Sequence, residues 1–434
     1  MILGNGLTVN GYGRVGDNSS NASTLINVGV IDANVAGQTL GVGHYYSNDA
    51  VVNNGTIKAS AGNLGIYSGT ITNAGSILAS AGTTTLGSSG YTNLVNNTGS
   101  IVVNGGTLVF GPKETGTTPT WDNNGTLDLH VQLEKELAEF VGKQAALVFT
   151  TGMQVNLGTI SSLVGRGEYV ILDKEDHASI VDGAKLSWGE TKRFHHNDLE
   201  GLERVLEKIP EDKGKLVVVD GLYSMGGDLA PLPELIPICQ KYGARLMVDD
   251  AHATGVFGGG KGTSAHFGVT DQVDLIMSTF SKSFASVGGF LAGDEDIIHY
   301  VKHNARALIF SASVSPANAA AALEALHIMR TEPEHAQRAL ANGDYMRQEM
   351  RRIGLDIGES VSPIIPIMIR DDMRTLVAWK LLIEAGVFTN PVISPAVPQG
   401  SQLLRTSYMA THTKDQLDRV LEMYASVGKQ LGLI

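Results

Sequence analysis

The chain has 434 residues, with 32 Lys and Arg against 44 Asp and Glu for a formal net charge of -12; that length is a prior for two or three compact units. The acidic balance excludes a nucleic-acid or anionic-membrane binder that works through a broad basic surface. The single cysteine, Cys239, has no partner for a disulfide or a zinc spacing, no run of about 20 apolar residues is present, and residues 1–5 lack a basic stretch followed by a long apolar one, so neither a transmembrane span nor an ordinary secretory signal is expected.

The charge is unevenly spread, because only eight charged residues lie in the first 125. That stretch is rich in Gly, Asn, Ser and Thr and repeats a short phrase: Asn53-Asn54-Gly55-Thr56-Ile57, Asn73-Ala74-Gly75-Ser76-Ile77, Asn97-Thr98-Gly99-Ser100-Ile101, Asn104-Gly105-Gly106-Thr107-Leu108 and Asn123-Asn124-Gly125-Thr126-Leu127. The main steps are 20, 24 and 26 residues. Asn-Gly suits a tight turn and the β-branched and aliphatic residues after it suit a short strand, so each unit predicts turn plus strand. Stacked units make a β-solenoid over residues 1–123, since one coil cannot bury its apolar face alone; a flexible Ser/Gly-rich linker is the alternative. The segment resembles the passenger repeats of bacterial autotransporter and adhesin-like surface proteins.

From Leu129 the texture changes. Residues 131–140 space apolar side chains by three and four, which predicts a helix. Apolar runs at 145–149, 169–172, 216–219, 245–248 and 274–277 alternate with amphipathic stretches such as 199–209 and 232–242, which predicts an α/β domain with a largely parallel sheet over 124–328. A helix over 316–329, strands at 364–369 and 403–407 and a closing helix from Lys414 then predict a smaller α/β domain over 329–434.

Ligands of open α/β sheets bind beyond the carboxyl ends of the strands. There stand Thr150, Thr151, Gly152 and Met153 before a helix over 155–163; Asp176, His177 and Ser179; Asp220 and Ser224; Asp249, Asp250 and His252; and Ser278, Thr279, Ser281 and Lys282. A glycine turn at a helix N-terminus presents N–H groups suited to phosphate. Taken singly, each residue is equally a turn former, a cap or a surface charge; their convergence on one edge, with small residues around Lys282, points to a lysine of lowered pKa suited to Schiff-base chemistry. The run Gly255 to Gly262 has P-loop spacing but ends in Gly262 where Ser or Thr should stand, and so predicts only a glycine-rich turn. His195 and His196 lack the company a zinc site needs, and no metal is expected.

On these motifs residues 124–434 resemble the α-oxoamine synthases, pyridoxal-phosphate (PLP) enzymes of the fold-type-I transferase fold, with the bacterial serine palmitoyltransferases as the branch most alike. The resemblance rests on Asn124-Gly125-Thr126-Leu127-Asp128-Leu129-His130, Asp176-His177-Ala178-Ser179, Asp220-Gly221-Leu222-Tyr223-Ser224-Met225, Val248-Asp249-Asp250-Ala251-His252, Thr279-Phe280-Ser281-Lys282-Ser283, Phe310-Ser311 and Arg405-Thr406-Ser407. It implies that Lys282 forms the Schiff base and Asp249 holds the ring-nitrogen proton. His252 would bond the ring oxygen, Ser224 would lie near it, and His177 would stack on the ring. Gly152, Met153, Thr279 and Ser281 would cradle the phosphate, with Ser311 supplied by a partner subunit of a homodimer, and Arg405 would clamp the substrate carboxylate. The implied reaction joins an amino acid, L-serine in this branch, to an acyl-CoA, palmitoyl-CoA in this branch, with loss of CoA and carbon dioxide; the siblings 8-amino-7-oxononanoate synthase and 2-amino-3-ketobutyrate CoA ligase share the catalytic set. Ile393 departs from the branch, some of whose members have arginine there. The family also carries a front segment that 1–123 does not match, so the join at Asn-Asn-Gly-Thr-Leu reads as an artificial or misassembled fusion of low turnover, with an adhesin-like fragment on an inactive remnant as the alternative. The catalytic part would be cytoplasmic and the repeats those of a cell-surface protein.

Overall fold

The computed structural model describes residues 1–16, 23–43, 50–87, 94–103, 107–110, 120–123 and 128–434, in two compact units, Met1–Val131 and Gln132–Ile434. The Asn104-Gly105-Gly106 turn and the Asn124-Gly125-Thr126-Leu127 junction lie outside the described residues.

The first unit is a parallel β-solenoid. Its strands recur in threes, so that every third one joins the same sheet and three sheets run along the stack. The register follows the repeat, with Asn27 opposite Asn53, Asn53 opposite Asn73, and Asn73 opposite Asn97; Asn27 extends the ladder one coil beyond the phrases recognised in sequence. Strands such as Thr56–Ala59 alternate partly exposed and buried residues, and Leu25, Ile31, Ile57, Ile71 and Ile77 fill the interior. At the corners a Cβ on Gly75 would stand 2.0 Å from the Gly55 carbonyl oxygen, which is why the turn keeps glycine at that step of the repeat.

Inside the stack the buried amides form a ladder. Asn27 Nδ2 donates to Asn53 Oδ1 at 2.7 Å and Asn53 Nδ2 to Asn73 Oδ1 at 2.6 Å. Replacing Asn53 with leucine removes two rungs of the buried ladder, each worth about 0.5–1.5 kcal/mol, so the solenoid should lose about 1–3 kcal/mol in all. Denaturant unfolding followed by the β-sheet circular dichroism signal checks this, and an unchanged midpoint would show the ladder to be energetically idle.

The second unit carries a seven-stranded sheet ordered Ala145–Phe149, Gly289–Gly293, Leu275–Thr279, Arg245–Asp249, Lys215–Asp220, Tyr169–Asp173 and Glu190–Phe194. All neighbours pair in parallel except Gly289–Gly293, which is antiparallel to both of its partners. Val170 and Leu172 face one apolar layer while Ile171 faces the other, the double-sided burial that makes such strands read as continuous apolar runs. Two strands of this sheet were not anticipated, nor was Asn390–Val392 in the C-terminal part. Glu190–Phe194 is a polar edge strand with little apolar signal, and Gly289–Gly293 follows the Lys282 turn so closely that its glycines read as loop. The helix from Leu199 ends at Leu206, earlier than its periodicity suggests.

The C-terminal part packs the antiparallel strands Ile364–Met368, Leu403–Ser407 and Asn390–Val392 with helices that include Glu334–Arg352, Asp372–Glu384 and Lys414–Gln430. Ile365, Ile367, Leu404, Leu417 and Tyr424 belong to one buried cluster there. The last helix starts at a capping box, Thr413 with Gln416, which satisfies two first-turn donors. Among the described residues no helix is long and apolar enough to cross a membrane.

Candidate active site

The carboxyl ends of the central strands open into a cavity of about 280 Å³ lined by Gly152, Met153, Asn156, His177, Ser179, Asp220, Asp249, His252, Thr279, Ser281 and Lys282, among others. Each arrives by local chemistry. The helix Gly152–Leu163 begins there, with Thr151 as N-cap accepting from the Gln154 N–H, so the Gly152 and Met153 amides belong to the first-turn donors that no intrahelical carbonyl satisfies. A Cβ on Gly152 would stand 2.6 Å from Thr279 Oγ1; only glycine lets the helix approach this strand end. Lys282 rides on a turn closed by the Ser286 N–H donating to Phe280 O at 2.8 Å and the Phe280 N–H donating to Gly288 O at 2.9 Å. The hydroxyls of Thr279 and Ser281 lie 3.0 Å apart beside it.

Asp249 ends its strand and is buried. The Asn156 amide donates to its Oδ2 at 2.8 Å and the Ala251 N–H to its Oδ1 at 3.0 Å. Asn156 Nδ2 also donates to Ser179 Oγ at 2.8 Å, and that hydroxyl lies 2.7 Å from His177 Nδ1. One buried amide therefore orients both the acid and the imidazole. Sequence reasoning missed Asn156; the available signal was a polar residue on a helix stripe otherwise buried at Val155, Gly158 and Ile160.

The electrostatics follow from burial. Burial raises the Asp249 pKa, against the hydrogen bonds from Asn156 and Ala251 and the charge of Lys282. Asp220, also buried, is held well above the usual carboxylate range by desolvation and then by Asp249. Lys282 is exposed as a residue at the cavity mouth, yet desolvation of its ammonium lowers its pKa; Asp249 and Asp220 oppose this and Arg405 adds to it. His252 is neutral, since burial, then Lys282, Arg405 and His177, push its pKa down to about 2.

Arg405 and Ser224 stand together outside the cavity lining, the Arg405 Nε donating to the Ser224 carbonyl at 2.6 Å. Ser311 accepts from Gln154 Nε2 at 2.9 Å, which places its hydroxyl beside the first turn of Gly152–Leu163 within the same chain. The glycine-rich run from Gly255 is a turn closed by a Thr254–Lys261 bridge, and Asp250 accepts from the Thr263 N–H beneath it at 3.0 Å. His195 is exposed and meets Lys174, whereas His196 lies between two carboxylates.

These residues fit PLP. The open first-turn amides with two hydroxyls suit a phosphate, and a buried carboxylate whose pKa is raised by desolvation suits a ring nitrogen that arrives protonated.

Residues 108–423 match the aminotransferase class I and II family. The chain is 52% identical to a serine palmitoyltransferase from Sphingobacterium spiritivorum over 308 residues, 71% of this chain and 77% of that protein. It is 39% identical to an 8-amino-7-oxononanoate synthase from Alkaliphilus metalliredigens over 312 residues, 71% of this chain and 79% of that one. A solved serine palmitoyltransferase from S. paucimobilis with a bound PLP–myriocin aldimine shares 38% identity and a TM-score of 0.69, covering 70% of this chain and 78% of that structure. These matches, with the strand-end cavity that Lys282 and Asp249 line, show that the chain belongs to the aminotransferase class I and II family and is a PLP-dependent acyltransferase of the α-oxoamine synthase, serine-palmitoyltransferase-like group.

Proposed function

We propose that the chain condenses L-serine with a long-chain acyl-CoA, palmitoyl-CoA first, to a 3-keto sphingoid base, releasing CoA and carbon dioxide. The observation that carries the reading is the placing of Lys282, Asp249, His252 and His177 around one cavity with Arg405 charged nearby. The choice of serine rests on the 52% identity to a serine palmitoyltransferase against 39% to an 8-amino-7-oxononanoate synthase. Residues 124–328 supply the cofactor site and 329–434 the carboxylate clamp, with 1–123 as a separate repeat unit.

Bound PLP supplies an electron sink for the carbanion left at the amino-acid α-carbon. Asp249 would hold the ring-nitrogen proton by charge and hydrogen bond, and His252, being neutral, would donate one ring N–H to the ring oxygen, with Ser224 near it. His177 would cover the ring face. The Gly152 and Met153 amides with Thr279 and Ser281 would hold the phosphate, with Ser311 of the partner subunit in the proposed homodimer. Lys282 anchors the cofactor at Nζ, and its amine, once free, accepts the α-proton. Arg405 grips the amino-acid carboxylate, a planar fork meeting two oxygens. The α-carbon then bonds to the acyl carbon as the thioester C–S bond breaks; CoA departs as the thiolate and takes a proton from solvent, and the carboxylate leaves as carbon dioxide, its bonding pair staying at the α-carbon, which takes up the proton held by Lys282. Exposed Met153, Val287, Ile309 and Phe310 near the cavity and Ser311 support a homodimer closing over this face.

CoA release from palmitoyl-CoA with serine, glycine or alanine tests the proposal. Serine should be preferred, and a clear preference for alanine with a short acyl-CoA would favour the 8-amino-7-oxononanoate synthase reading. Replacing Arg405 with alanine removes charge-assisted bonds of about 1.5–3 kcal/mol, so amino-acid affinity should fall about ten- to a hundredfold; unaltered affinity would refute the clamp.

A further inference from the structure

His196 occupies a position that the chemistry above does not use. It follows the edge strand Glu190–Phe194, and both of its ring nitrogens face carboxylates: Nδ1 lies 3.1 Å from Asp173 Oδ1 and Nε2 lies 2.8 Å from Asp228 Oδ2, with Glu175 Oε2 3.9 Å from Nε2. The ring stands edge-on to Tyr223, centroids 4.4 Å apart. Ionised carboxylates only accept hydrogen bonds, so satisfying both requires both ring nitrogens to donate, and the imidazole is then a cation. Burial opposes that charge, but the hydrogen bonds and charges of Asp173 and Asp228 overcome it and raise the pKa to about 10.

The two carboxylates belong to different loops, and each loop carries part of the site. Asp173 ends the strand Tyr169–Asp173 four residues before His177; it also accepts from the Asn197 N–H at 2.9 Å and the Glu175 N–H at 2.8 Å. Asp228 lies four residues after Ser224 in a turn closed by the Tyr223 N–H donating to the Asp228 carbonyl at 3.0 Å. Asn197, held at φ 51°, donates from its side chain to the same Asp228 oxygen as His196, at 3.0 Å. The Ser224 carbonyl in turn receives the Arg405 guanidinium. The path from His196 therefore ends at the ring-covering His177 on one side and at Arg405 on the other.

We infer that His196 is a positioning residue, a cationic pin joining the His177 loop to the Ser224–Arg405 turn and setting the amino-acid side of the active site. The inference rests on the proposed roles of His177 and Arg405. With the pin removed, Asp173 and Asp228 repel one another across the space the ring filled, and the loops part; misplacements of this kind cost rate and affinity steeply without any loss of the reacting groups.

The test uses the full chain loaded with PLP. His196→Gln should keep its cofactor, since Lys282 and the phosphate cradle are untouched, yet bind L-serine at least about tenfold more weakly in a spectral titration. His195→Gln, at an exposed neighbour, should match the parent. Adding Asp228→Asn to His196→Gln removes the repulsion and should restore much of the affinity. Serine affinity within about twofold of the parent in His196→Gln, or no rescue in the double variant, would overturn the inference. Should His196→Gln fail to fold, Asp228→Asn alone must weaken serine binding with cofactor retained, and unchanged binding would be equally fatal. A parent chain that takes up PLP but no amino acid would instead count against the proposed function. In that case ¹⁵N-histidine spectra decide the pin: the His196 ring should keep both protons at about pH 8, and a ring titrating near 6.5 would refute it.

Discussion

Replacing Lys282 with alanine is expected to abolish the visible absorbance of the lysine-bound cofactor and to reduce CoA release by about a thousandfold or more, because the change removes both the attachment point and the proposed proton acceptor, each a large contributor. Lys282 suits both tasks. Desolvation in the cavity lowers its pKa, while the charges of Asp249 and Asp220 oppose that loss. Lys261, the nearest lysine before it in sequence, sits on the glycine-rich turn and does not line the cavity. Borohydride reduction of the loaded parent followed by peptide mapping should put the pyridoxyl group on Lys282. Labelling at any other lysine, or near-parental turnover of the alanine variant, would overturn the assignment.

Asp249→Ala should separate chemistry from binding. The proposed phosphate contacts and Lys282 remain, so cofactor content should change little; the ring nitrogen would lose the carboxylate proposed to keep it protonated. An opposite charge at contact distance is worth about one to three pKa units, so α-proton exchange from serine should fall by about ten- to a thousandfold. The sign follows from the buried pair: Asp249 by itself is pushed toward its neutral form by desolvation, and a cation at the ring nitrogen restores its charge, each proton state sustaining the other. Exchange can be followed in deuterium oxide without acyl-CoA. An equal loss of cofactor and of exchange would make Asp249 a structural acid instead.

Both positions are legible in the sequence, because Asp249 directly follows one apolar run and Lys282 lies five residues beyond another, and strand ends are where an α/β sheet presents ligands. Periodicity likewise gave the edges of Ala145–Phe149 and Leu403–Ser407, and the Asn-Gly repeat gave the solenoid with its 20- and 24-residue steps, since parallel stacking puts each asparagine opposite the next. The signal failed where burial did not enforce a pattern. The edge strand Glu190–Phe194 is mostly polar and exposed, and Gly289–Gly293 owes its place to two antiparallel neighbours rather than to its own composition.

What only the tertiary structure decided is the company each site residue keeps. Asn156 lies 93 positions from Asp249 and 23 from Ser179, yet one amide bonds both. His196, one of two adjacent histidines that looked alike in sequence, lies between carboxylates 23 residues before it and 32 after it, while His195 faces solvent. Arg405 meets Ser224 across 181 residues. Local sequence sets which groups are available and which way a strand or helix presents them; their charge states and hydrogen-bond partners depend on burial and on neighbours distant in the chain. The lowered pKa of Lys282, the neutral state of His252 and the cation at His196 are therefore properties of the assembled sheet and not of the motifs that contain them.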